Sequence, residues 1–131
     1  MNQINRRRWK RFTVDGAFVV TTRPSFFKIG RPVHTRLGPI KDIGMGGLAV
    51  QYMEKKMPDK KISGLAVMMP SEGIMVDPIP FEAVNNFEVT TLPHSNKKVW
   101  TLCVSFKKLM PRQKTQLEKF IADYGFEVVG P

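Results

Sequence analysis

Only the last stretch of this chain carries a helical period. Leu117, Phe120, Ile121 and Tyr124 recur at the three-and-four spacing of one buried helix face, Pro111 suits a first helical turn, and Gly125 can stop the helix. Everything before it reads as short β-prone runs punctuated by glycine and proline. The runs are 12–20 around Gly16, 33–43, 48–53, 65–69, 81–92 and 98–106, which makes about six strands. Residues 44–47, Gly-Met-Gly-Gly, interrupt two of these runs as a turn, and Pro70-Ser71-Glu72-Gly73 is another. Residues 54–61 are polar with Pro58 inside, which reads as a surface loop, and 93–97 closes a hairpin. Residues 21–32 hold two prolines and a glycine and read as either a loop or an irregular strand. With every strand joined by a short polar or Gly/Pro connection, the expected fold is all-β: an antiparallel sheet closed or nearly closed into a barrel, with one C-terminal helix over its end. A 42% hydrophobic content over 131 residues fits one domain with one core, divided into a basic arm (1–11), a barrel (12–109) and the helix (110–125).

The charge is both large and uneven. Lys and Arg number 21 against 11 Asp and Glu, a formal +10, which suits an anionic partner. Arg6, Arg7, Arg8, Lys10 and Arg11 place five of those cations in the first eleven residues, before the first acid at Asp15. Arg7 and Arg11 sit on one side if helical, or roughly 13 Å apart if extended at about 3.3 Å per residue. Either spacing can clamp a small dianion, because the planar guanidinium fork matches phosphate oxygens and the O6/N7 edge of guanine. The plain alternative is a basic tail with no specific ligand.

A second constellation lies at the junction of two strands, Asp42-Ile43-Gly44-Met45-Gly46-Gly47. Its carboxylate can accept from the N1 and N2 hydrogens of guanine, and its glycines let a ligand approach the backbone. Read alone, it is more simply a tight turn, with glycines for positive φ and Asp for a local hydrogen bond.

Together, in this order and about 30 residues apart, the two segments resemble the signatures of the PilZ domain family, R-R-x-x-x-R and D-x-S-x-x-G. Cys103-Val104-Ser105-Phe106 is similar to that family's closing G-V-x-F strand, and a terminal helix follows, so the resemblance spans residues 6–124. It implies a six-stranded antiparallel barrel with a C-terminal helix and reversible binding of cyclic di-GMP. Arg7 and Arg11 would grip guanine edges and phosphates, with Arg6 and Arg8 as extra contacts. Asp42 would read a guanine, and Gly47 would shape the turn. Ligand would order the arm, and the remodelled surface would meet a downstream protein in bacterial motility, surface attachment or biofilm polysaccharide control. Two positions depart from the pattern. Gly44 replaces a serine, the loss of a hydroxyl contact worth about 0.5–1.5 kcal/mol, and Cys103 replaces a glycine and is expected as a small core thiol.

Catalysis finds little support. His34 and His94 are isolated, the carboxylates are scattered, and no nucleophile motif surrounds Cys103 or the serines. No metal and no cofactor is implied. A single cysteine points to a reducing compartment, hence the cytoplasm, and neither a secretory signal nor a run of about 18 apolar residues is present. Trp9 within the arginine run could stack on a base or serve as a packing anchor. Two other classes remain open: a PilZ-like adaptor that has lost nucleotide binding, for which Gly44 speaks, and a basic barrel for single-stranded nucleic acid, for which Trp9, Phe12, Phe18 and the charge speak.

Overall fold

A computed structural model describes residues 10–23, 33–53, 64–91 and 98–128. Among them are nine strands and one helix: β1 (Phe12–Val14), β2 (Phe18–Arg23), β3 (Val33–Ile43), β4 (Gly47–Met53), β5 (Gly64–Met69), β6 (Gly73–Ile79), β7 (Phe81–Thr91), β8 (Lys98–Phe106), α1 (Pro111–Tyr124) and β9 (Gly125–Glu127). Every pairing is antiparallel, in the order β6-β5-β2-β3-β4-β8-β7, with β1 laid against β3 and β9 against β1. No ladder joins β6 to β7 among the described residues. Only Pro80 separates them, and its carbonyl accepts from the Lys107 N–H at 2.9 Å, so the sheet curls into a loose barrel without closing.

Three strands differ from the sequence expectation of about six. The run 12–20 divides at Gly16, whose φ of +82° ends β1 and lets β2 start in a new direction. β6 contains Asp77-Pro78, a pair that reads as a turn. It lies at the end of the sheet path, where a proline can sit without removing a needed ladder bond. β9 is a three-residue strand directly after the helix.

Alternation builds the core. Leu48, Val50 and Tyr52 of β4 and Leu102 and Val104 of β8 point inward, joined by Val19, Ile43, Leu65, Val67 and Val76. The Tyr52 hydroxyl finds Asn86 Oδ1 at 2.9 Å, so burying that ring strands no polar atom. Leu117, Phe120 and Ile121 bring the helix's buried face onto the same cluster, as its spacing predicts. Polar groups seat the helix on β6. Gln113 Oε1 accepts from the Met110 N–H (2.8 Å) while its Nε2 donates to the Pro78 carbonyl (2.7 Å), and Gln116 accepts from the Asp77 N–H (2.9 Å). These bonds satisfy backbone groups at the helix start and in the edge strand together. No helix among the described residues is long and apolar enough to cross a membrane.

Candidate functional site

The outward face around Asp42 arises from a β-bulge. Ile40 pairs with Val50, Asp42 with Ala49 and Ile43 with Leu48, so Lys41 is an extra residue on β3. The insertion lets both Ile40 and Ile43 reach the core while Asp42 turns to the opposite face. From Asp42 the register continues across that face through Ala49 and Cys103 to Asn85. Cys103 is therefore half-buried on the outer face, where a core thiol was expected, because Leu102 and Val104 take the inward positions of β8.

Arg11 reaches the same face from the other side. β1 joins the end of β3 through Phe12 opposite Ile43, and with Phe12 and Val14 packed on the core, Arg11 and Thr13 face outward. Arg11 Nη1 stands 3.5 Å from Asp42 Oδ2, across 31 residues of sequence. The carboxylate is the more buried partner, with its side chain 13% exposed against 36% for Arg11. The root of the basic arm is tied down here: the Arg11 carbonyl accepts from the Val128 N–H at 2.8 Å, and Lys10 Nζ lies 3.7 Å from Glu127 Oε2. Arg6, Arg7 and Arg8 lie outside the described residues.

The 44–47 turn is bolted at two points. The Gly44 N–H donates to the Gly47 carbonyl and the Phe106 N–H to the Gly46 carbonyl, both at 2.9 Å. Its glycines are not at positive φ; among the described residues Gly16 and Gly73 are. Gly47 is needed for a different reason. A Cβ there would fall 2.1 Å from the Val104 carbonyl oxygen, where β4 and β8 run too close for any side chain. Gly47→Ala is accordingly expected to cost about 1–3 kcal/mol through backbone displacement, seen as a lower urea midpoint at unchanged slope. An unchanged midpoint would show that the two strands yield freely.

The sheet thus brings Arg11, Asp42, Gly44 and Gly47 into one corner, on a face of paired cation and carboxylate beside a rigid turn. Such a corner offers a guanidinium for phosphate or guanine acceptors and a carboxylate for guanine donors. No group of His, Cys, Asp or Glu able to hold a metal ion occurs among the described residues. Sequence reasoning passed over Phe126 and Val128 of the β9 segment, which flank Arg11 on this face.

No family model and no curated protein matches the sequence. Solved structures do match. The chain is similar to the PilZ domain with c-di-GMP of YcgR from Escherichia coli, with a TM-score of 0.62 and 16% identity, covering 91% of each chain. It is also similar to K. pneumonia MrkH, in its apo state (TM-score 0.58, 21% identity, 87% of this chain and 47% of that one) and in its c-di-GMP complex (TM-score 0.58, 21% identity, 89% and 51%). This chain therefore spans about half the length of MrkH. The likeness is one of fold: a PilZ-type antiparallel sheet with a C-terminal helix.

Proposed function

We propose that this PilZ-type fold is a non-enzymatic receptor for cyclic di-GMP. The observation that carries the reading is the meeting of Arg11 with Asp42 at 3.5 Å, which unites in space the two segments whose chemistry suits guanine and phosphate. In the free protein each neutralises the other. Ligand enters by replacing that contact: Asp42 accepts from the guanine N1 and N2 hydrogens, and Arg11 turns to a phosphate or to guanine O6/N7. Arg7, with Arg6 and Arg8, adds cations whose mutual repulsion the two phosphates relieve, so closing the arm is favoured when ligand is present. The closed arm and the adjoining surface then signal to a downstream protein, in motility or surface attachment. The similarity of YcgR and MrkH, whose structures contain c-di-GMP, supports the same ligand class.

Gly44 sets the strength of the complex. Its N–H is already committed to the Gly47 carbonyl, so the position offers the ligand no further donor, whereas a serine would add a hydroxyl. Gly44→Ser is expected to raise affinity about two- to tenfold, read by calorimetric titration. A variant that binds no better would mean that the hydroxyl has no acceptor to reach.

A second reading, an adaptor that works through protein contacts without nucleotide, is favoured by the same pair: Arg11 and Asp42 satisfy one another, and the turn lacks that hydroxyl. Calorimetry of the wild-type chain with cyclic di-GMP separates the two. A saturable heat with a stoichiometry of one or two supports the receptor, and silence at high micromolar ligand rejects it.

A further inference from the structure

We infer that Phe126 is a stacking residue of the dinucleotide site, supplying the flat face on which one guanine rests while Asp42 and Arg11 read its edge. The inference rests on the receptor reading. It starts from the β1–β9 ladder, in which Thr13 stands opposite Phe126, and the Val128 N–H bond to the Arg11 carbonyl extends the pairing one residue past Phe12 and Glu127. Phe12 and Val14 face the core, so the face that carries Arg11 and Thr13 is the outer one, and Phe126 and Val128 share it. Phe126 is thus the diagonal cross-strand neighbour of Arg11, at about 7–8 Å between backbones, within reach of an aromatic ring and a guanidinium that hold one ligand between them.

The exposure of the ring is the second support. Phe126 is 65% exposed although its backbone is fixed in a ladder, and Val128 beside it is 44% exposed. Neither packs on the core, and Phe126 makes no ring contact among the described residues. Since Phe12 stands opposite Ile43, the outer row runs from Phe126 through Thr13 to Asp42 and on to Ala49 and Cys103, with Arg11 beside it reaching Asp42 at 3.5 Å. An aromatic ring held open beside a part-exposed cation and a largely buried carboxylate matches the three faces of a guanine nucleotide. The ring takes the π-surface, the carboxylate the N–H edge, and the guanidinium the phosphate or the O6/N7 edge. Stacking discriminates weakly between bases, so Asp42 selects guanine and Phe126 adds affinity. The ring also lies after α1, which places a ligand contact on the C-terminal segment and lets occupancy be felt there.

Phe126→Ala, Phe126→Leu and Phe126→Tyr, titrated with cyclic di-GMP beside the wild type, test this. Alanine and leucine are expected to lower affinity about five- to a hundredfold, the range for removing one base–aromatic stack, and tyrosine to retain it. The dependence of affinity on salt should stay that of the wild type in all three, because stacking carries no charge. Leucine that binds like tyrosine overturns the inference, since any apolar cover would then suffice. Alanine that binds like the wild type also overturns it, while leaving the receptor reading intact. A wild-type chain silent toward cyclic di-GMP overturns the receptor reading and this inference with it. Should the alanine variant lose its cooperative melt, the leucine-to-tyrosine ratio alone decides the matter.

Discussion

Arg11→Ala is expected to weaken cyclic di-GMP binding by about ten- to a hundredfold, the loss of a charge-assisted hydrogen bond worth about 1.5–3 kcal/mol. Two effects oppose one another, and the first is the larger. The ligand loses a bidentate partner, while Asp42 is freed from the 3.5 Å contact that ligand otherwise has to displace. The fold itself should hold, because a pair in which Arg11 is about one-third exposed is worth about 0–1 kcal/mol to stability. The binding loss therefore cannot be an unfolding effect in disguise, and a melt of the free variant checks this directly. Arg11→Lys keeps the charge but not the fork and should fall between alanine and wild type. Asp42→Ala removes the guanine reader and should match Arg11→Ala in size without flattening the salt dependence as Arg11→Ala does. If Arg11→Ala binds as tightly as the wild type, the corner at Asp42 is not where the ligand sits.

The helix and the long strands were legible because their periods are unbroken. Leu117, Phe120 and Ile121 mark a helical face without interruption, and the runs of β4 and β8 show as strands, although the inward face of β8 was misjudged: Cys103 was expected in the core, where Leu102 and Val104 lie. β6 was not legible, since Asp77-Pro78 carries turn chemistry and only its place at the sheet edge makes that harmless. β9 is three residues long, too short for any period, so nothing in the sequence singled out Phe126. The site divides in the same way. Arg11 and Asp42 could be singled out by their chemistry and by the PilZ resemblance, but their contact depends on Phe12 pairing with Ile43 and on the bulge at Lys41. Neither has a local signature. The bulge also explains why Asp42 faces out although core residues lie at Ile40 and Ile43, a spacing of three that strict alternation cannot place on one face. Gly47 shows the limit of turn rules: the residue type was predicted to matter, and it does, through the nearness of the Val104 carbonyl and not through φ.

Phe120→Ala is expected to cost about 3–5 kcal/mol, the range for deleting a buried phenylalanine, a large share of a domain's total of about 5–15 kcal/mol. Phe120 is 1% exposed, at the centre of the helix face, with its ring 5.5 Å from that of Tyr124 at a tilt of 39°. Truncation removes that pair and leaves a void under a helix still held by Leu117 and Ile121 in the core and by the hydrogen bonds of Gln113 and Gln116 to β6. The consequence reaches the site along the chain. α1 runs without a linker into β9, β9 pairs with β1, and the last bond of that ladder holds the Arg11 carbonyl. A loosened helix therefore loosens the root of the arm, and Phe120→Ala should lose affinity as well as stability although the ring is buried in the core. Urea denaturation with and without cyclic di-GMP measures both. Ligand at a hundred times its dissociation constant should return about 2.7 kcal/mol to the wild type, and less to the variant at the same concentration because its constant is weaker. Phe120→Leu, which refills most of the void, should recover the greater part of both losses. Equal ligand-induced stabilisation in wild type and Phe120→Ala would mean that the arm root is held independently of the helix, and that β9 does not couple the two.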